Sequence, residues 1–177
     1  MPPIEIWSGG QTGVDTGGAR AALDAGVPLA GFMPADAENE EGPISFRIAH
    51  HLRRHDRTNP AARTAANVGH ADVVLVVVED RRRAGATRGT ALTIRLATER
   101  QERGTCRLLV VDGAWPRGPG SEAYWSLIAS EWSPPRPGRH LRVLVAGPRA
   151  SLWPDGERVA YEVVAALLRG TATRRGA

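Results

Sequence analysis

Apolar residues gather in five short runs, at 4–7, 27–32, 71–78, 107–111 and 141–146. The clearest is Val73-Val74-Leu75-Val76-Val77-Val78, apolar at every position, as a central parallel strand buried on both faces must be. Between the runs, apolar positions recur at helical spacing. The pattern predicts helices over about 15–25, 59–69, 89–103, 122–131 and 155–170. Asp15 or Thr16 is placed to cap the first, with Ala19, Ala22 and Leu23 on one face and Gly26 as its stop. Asn59-Pro60 opens the second with a capping side chain and a proline at the first helical position. In the last, Val159, Val163 and Leu167 share a face, Asp155 is the cap and Gly170 the end. Residues 33–58 are ambiguous: an acidic group (Asp36, Glu38, Glu40, Glu41), then Gly42-Pro43, then a basic stretch bearing His50, His51 and His55. Strands alternating with helices imply an α/β fold with a mostly parallel sheet of about five to six strands and helices on both faces. The Pro-rich stretch 133–138 reads as a loop, because too little chain follows it to fold alone. Residues 1–170 are expected to form one domain and 171–177 a disordered tail.

Composition narrows the setting. The chain has 177 residues, 42% of them hydrophobic, which suits one domain with a real core. No run approaches the 18 or so apolar residues of a membrane span, and the first residues lack the pattern of a secretory signal. The single cysteine, Cys106, excludes an internal disulfide, so a cytoplasmic setting is expected. All 23 basic residues are arginine, a bias of composition more than of function, although arginine is the better partner for phosphate. The pI of about 10.4 invites a nucleic-acid reading. The arginines are dispersed, however, and only 5% of residues are aromatic, too few for a base-stacking platform.

Ligands of open parallel sheets bind beyond the carboxyl ends of the strands, and three loops qualify. The first is Ser8-Gly9-Gly10-Gln11-Thr12-Gly13-Val14-Asp15. Its glycines let backbone N–H groups and the following helix start form an anion nest. It matches neither a Walker loop nor the dinucleotide fingerprint. The bland alternative is a tight turn that needs glycine only for geometry. The second is Gly85-Ala86-Thr87-Arg88-Gly89-Thr90, where Gly89 and Thr90 offer free N–H groups at a helix start and Arg88 is placed to clamp an anion. The preceding Arg81-Arg82-Arg83 reads as a solvated charge run. The third is Ala146-Gly147-Pro148-Arg149. Asn59, Arg63 and Asn67 form a polar stripe along one helix, either a site wall or merely a solvent face. The histidines lack a completing ligand pattern for zinc and read as surface residues.

These motifs together resemble the family named putative molybdenum carrier proteins: Ser8-Gly-Gly-Gln-Thr-Gly-Val-Asp15, Asp24-Ala-Gly-Val-Pro28, Glu41-Gly-Pro-Ile44, Arg63-Thr-Ala-Ala-Asn-Val68 with Ala71-Asp72, Gly89-Thr-Ala-Leu-Thr93 and Val145-Ala-Gly-Pro-Arg149. The resemblance runs in order over about residues 4–168. It implies a Rossmann-like, doubly wound fold, similar to the group joining DNA-processing protein A and the Lonely Guy phosphoribohydrolases. It also implies homo-oligomers and storage or transport of the molybdenum cofactor (molybdopterin), an anionic pterin phosphate. It strengthens Arg63, Thr64 and Asn67 as site residues. The Lonely Guy signature Pro-Gly-Gly-x-Gly-Thr-x-x-Glu is only partly kept: Gly89-Thr90 remain, but Thr93 stands where the catalytic Glu belongs, and a hydroxyl is no carboxylate acid or base.

The expected function is therefore binding of a small anionic, phosphate-bearing ligand. The expected contacts are Gly9, Gly10, Gln11, Thr12, Gly13, Asp15, Arg63, Thr64, Asn67, Arg88, Gly89, Thr90, Gly147, Pro148 and Arg149, with no catalytic residue and no metal. The alternatives are a nucleotide-processing enzyme, phosphoribohydrolase-like or a nucleotide hydrolase, that binds a nucleotide such as AMP and uses Asp15 as acid or base, and single-stranded nucleic-acid binding.

Overall fold

The computed structural model describes residues 3–56, 59–118, 120–132 and 138–172. The chain begins with β1 (Ile4–Trp7), α1 (Val14–Asp24), β2 (Leu29–Ala30) and β3 (Phe32–Met33). The ambiguous stretch resolves into a hairpin of β4 (Glu38–Asn39) and β5 (Gly42–Pro43), the single turn α2 (Phe46–Ala49) and β6 (Arg53–Arg54). Then follow α3 (Pro60–His70), β7 (Val73–Val77), α4 (Arg88–Glu102), β8 (Arg107–Val111), α5 (Glu122–Ser130), β9 (Leu141–Ala146) and α6 (Gly156–Ala172). Five strands form one parallel sheet in the order β2-β1-β9-β7-β8. From β1 the chain steps one way to β2, and from β7 it steps the other way to β8. The carboxyl ends of β1, β9 and β7 therefore flank the point where the winding reverses, the position at which α/β sheets bind ligands. The α/β architecture with a parallel sheet is thus the one the alternating pattern predicts, and its Rossmann-like winding is the one the family resemblance implies.

The period of two along β7 divides the core. Val73, Leu75 and Val77 face the cluster built with α1, α5 and α6, while Val74, Val76 and Val78 face the smaller cluster under α3 and α4. β7 is buried at every position, which is why its sequence shows no polar face. Arg100 of α4 ties the second layer together. Its guanidinium donates to the carbonyls of Val68, Ala71 (2.7 Å) and Thr105 (2.9 Å), giving the exposed end of α3 the partners that a helix terminus lacks.

Several local expectations change. The strand expected over 27–32 is broken at Gly31 (φ +132), whose α-carbon packs against the backbone of Ser8 so closely that a Cβ would collide with the Ser8 carbonyl. Past the break, β3 leaves the main sheet and pairs with β6. Asp15 does not cap α1: Gly13 holds the cap position and Asp15 lies inside the first turn, side chain buried. Gly170 does not end α6, which continues to Ala172. The glycine is required because α5 crosses there, and a Cβ would strike the Glu122 carbonyl. Thr171 and Ala172 are thus helical, while the rest of the expected tail, 173–177, and most of the Pro-rich loop, 133–137, lie outside the described residues. Among the described residues, no helix is long and apolar enough to cross a membrane.

Candidate functional site

A cavity of about 990 Å³ opens at the carboxyl ends of β1, β7 and β9, at the upper end of the range for small-ligand pockets. Each of the three loops reaches it. Its wall includes Gly9, Gln11 and Asp15 from the first, Arg88, Gly89 and Thr90 from the second, and Gly147, Pro148 and Arg149 from the third. Arg63, Thr64 and Asn67 of α3 complete it, so the polar stripe on that helix faces the cavity. Gly10, Thr12 and Gly13 are not part of the wall.

The glycine loop differs from an open anion nest. Four consecutive amides of the loop are already occupied from within the chain: Asp15 Oδ2 accepts from Gly9 N (3.1 Å) and Gln11 N (3.3 Å), Ser8 Oγ accepts from Gly10 N (3.1 Å), and Gln11 Oε1 accepts from Thr12 N (2.9 Å). The carboxylate of Asp15 sits where a bound anion was expected. Burial pushes its pKa up to about 6, against the opposing pull of the Arg63 guanidinium and the Gln11 and Gly9 amides. Gly10 (φ +75) holds the turn with Ile44, Leu52 and Met33 close behind it. Gly13 rests on the backbone of residues 148–150, and Thr12 Oγ1 accepts from Ala150 N at 3.1 Å. Thr12 and Gly13 thus hold the first loop to the third, while Gly10 packs it against the segment that follows β2.

The second loop is different. Thr87 caps α4 with its hydroxyl, accepting from Thr90 N at 3.3 Å, a partner that the Thr87-x-x-Thr90 spacing signals and that is absent from the expected contacts. No hydrogen bond among the described residues takes the amides of Arg88 and Gly89, and Gly89 has open space around it. The positive end of α4 therefore points free N–H groups at the cavity. Thr93 donates to the Gly89 carbonyl (3.1 Å) and is buried, so no carboxylate stands at that position.

Arg63 donates through Nη1 to the Gly9 carbonyl (3.3 Å), and its buried Nε has no partner among the described residues. Asn67 is committed to structure: its carboxamide accepts from Phe32 N (2.8 Å) and donates to Phe32 O (3.0 Å), standing in for a neighbouring strand. Arg149 is paired with Glu40, Nε to Oε2 at 3.2 Å. Glu40 also accepts from Thr12 Oγ1 (2.6 Å) and from the amide and hydroxyl of Ser151 (2.9 and 2.6 Å). Burial raises its pKa, but those hydrogen bonds and Arg149 outweigh it and hold the carboxyl below its ordinary value. Glu40 stood in the sequence only as one member of an acidic group, with nothing local to distinguish it. His50 stacks on Phe46 of α2 and lies against His51, while His55 packs edge-on against Phe32.

Comparison with curated proteins found no match. Among solved structures, the chain is similar to the "Putative molybdenum carrier protein" from Syntrophus aciditrophicus SB, with 26% identity and a TM-score of 0.72, over 94% of this chain and 96% of that one. The family model described as "Circularly permutated YpsA SLOG family" matches residues 6–168, and the chain belongs to that family.

Proposed function

We propose that this protein binds a small phosphate-bearing ligand in the cavity at the sheet's switch point, and that it carries or stores the ligand without turning it over. The observation that carries the reading is the start of α4: free Arg88 and Gly89 amides at the positive end of a 15-residue helix, facing a cavity of ligand size. The phosphate belongs here and not in the glycine loop, where the Gly9 and Gln11 amides already hold the Asp15 carboxylate. The molybdenum cofactor is the first candidate. The similar Syntrophus aciditrophicus protein is named for molybdenum carriage, and the cavity joins anion donors to a polar wall that suits a pterin. The reading includes a homo-oligomer in the cytoplasm, which light scattering on the purified protein addresses for the assembly. Mass spectrometry of small molecules released from the freshly purified chain tests the ligand. A pterin phosphate at stoichiometric yield supports the reading, and consistent recovery of a ligand without phosphate defeats it.

A second reading has its own observation. Asp15, with its pKa near 6 on the cavity wall, is poised for proton transfer in a nucleotide-processing enzyme. Release of free base or phosphate from nucleoside monophosphates, abolished by Asp15→Ala, would favour it.

A further inference from the structure

Asp15 is the one carboxylate among the described residues that line the cavity. Its two oxygens have separate surroundings. Oδ2 takes the amides of Gly9 and Gln11, whereas no hydrogen bond among the described residues reaches Oδ1. The Arg63 guanidinium lies alongside: a Cβ built on Gly9 would sit 2.7 Å from Asp15 Oδ2 and 3.9 Å from Arg63 Cζ. Nη1 of Arg63 is spent on the Gly9 carbonyl, while Nη2 makes no hydrogen bond among the described residues. The wall thus presents a charged acceptor beside a charged donor. Leu92, Leu144 and Leu152 add apolar surface to the same cavity.

Such a pair cannot be the phosphate subsite, since a carboxylate repels a phosphate. It is complementary to a planar ring edge on which an N–H donor stands next to a carbonyl acceptor. We propose that Asp15 and Arg63 are the specificity-determining residues of the cavity, and that they select a ligand whose ring carries this lactam edge, as pterins and guanine do. The ring lies at the Asp15 end and the phosphate at the start of α4. The inference rests on the anion-binding reading for the second half of that orientation only.

The test is calorimetric titration of the full chain with inorganic phosphate, ribose 5-phosphate, AMP, GMP and the neutral 6-hydroxymethylpterin. Adenine carries a donor at C6 and an acceptor at N1, the reverse of guanine, so a purine held by its phosphate at α4 meets Asp15 and Arg63 correctly as guanine and mismatched as adenine. The wild-type chain is expected to bind GMP at least about tenfold tighter than AMP or ribose 5-phosphate, since hydrogen bonds to a charged group are worth that much or more. Asp15→Asn keeps an oxygen for the Gly9 and Gln11 amides and replaces the free acceptor with a donor. It should bring GMP down to the level of AMP while leaving inorganic phosphate unchanged. Equal binding of GMP and AMP by the wild type overturns the proposal without recourse to any variant. So does a ribose 5-phosphate affinity matching that of GMP, which would place a sugar hydroxyl at Asp15, or an Asp15→Asn chain that loses phosphate and GMP alike, which would make Asp15 a loop clamp only. If hydroxymethylpterin binds in an Asp15-dependent way while inorganic phosphate does not bind at all, the ring assignment stands and the anion-binding reading falls.

Discussion

Glu40 and Arg149 meet at 3.2 Å across the rim of the cavity, joining the β4–β5 hairpin to the loop after β9. The pair matters less for its Coulomb energy, which is small at a half-exposed site, than for what it commits. Arg149 is the cationic side chain that the third loop brings to the cavity. While it holds Glu40, its charge toward any anion is already partly neutralised. The carboxylate also gathers Thr12 and both polar groups of Ser151, so one side chain fixes three segments.

Glu40→Ala should therefore loosen the hairpin and free Arg149. Losing these contacts at a partly exposed site is expected to cost about 1–2 kcal/mol, a melting shift of roughly 2–8 °C for a chain of this size. Amide exchange should rise over residues 38–43 and 149–152. Affinity for inorganic phosphate should increase several-fold. Unchanged exchange in both segments would show that the hairpin is held by something other than Glu40.

Gly10 and Gly89 should respond differently to substitution by valine. At Gly10 a side chain meets Ile44 Cδ1 at 2.9 Å and must adopt φ +75, so Gly10→Val should destabilise the fold by about 1–3 kcal/mol. At Gly89 there is nothing within 4 Å. Gly89→Val should melt within about 2 °C of wild type yet bind phosphate at least about tenfold more weakly, because the side chain covers the free amides of α4. Melting curves with and without phosphate separate the two. Full phosphate binding by folded Gly89→Val would move the anion elsewhere.

Gly170 offers a test of the helix layer far from the cavity. Gly170→Ala forces α5 and α6 apart, since the new methyl meets the Glu122 carbonyl and lies 3.1 Å from Trp125 Cβ. Over-packing of this kind costs about 1–3 kcal/mol, although alanine is the better helix former by up to 1 kcal/mol or so. A lower urea midpoint is expected. A raised one would mean that propensity outweighs the clash.

What was legible in the sequence is what local pattern determines. The strands at Ile4–Trp7, Arg107–Val111 and Leu141–Ala146 coincide with the apolar runs, because a parallel strand buried between helices needs apolar residues and its ends are marked by charge or glycine. The three loops followed, since each is a strand end with glycine. What stayed hidden depends on contacts distant in sequence. The break at Gly31 needs the Ser8 backbone, and Asn67 spends its carboxamide on Phe32, 35 residues away. Asp15 resembles a helix cap by position, and its reversal of role comes from two amides folded back over it. Glu40 finds its partners 28 and 111 residues along the chain.

Asp15 also sets a pH dependence of stability whose sign follows from its surroundings. Its carboxyl is raised from 3.8 to about 6 in the folded chain, so between those values the folded state holds a proton that the unfolded state has released. Stability contributed by this group is full below about pH 4 and is lost as pH rises to about 6. Above that, the ionised carboxylate is a constant burden of roughly 3 kcal/mol at most, by the conversion of pKa difference to free energy. Asp15→Asn removes the titration while its oxygen can still accept from Gly9 and Gln11. In urea unfolding at pH 4.5, 5.5, 6.5 and 7.5, the variant should gain on wild type by about 1.4 kcal/mol per pH unit up to about pH 6 and level off above it. Every other titrating group cancels in that difference as long as the two chains share the rest of the fold. A difference that is flat across the series would mean the carboxyl titrates alike in both states. A difference that falls with pH would mean the amides and Arg63 outweigh burial and hold the ionised form in place.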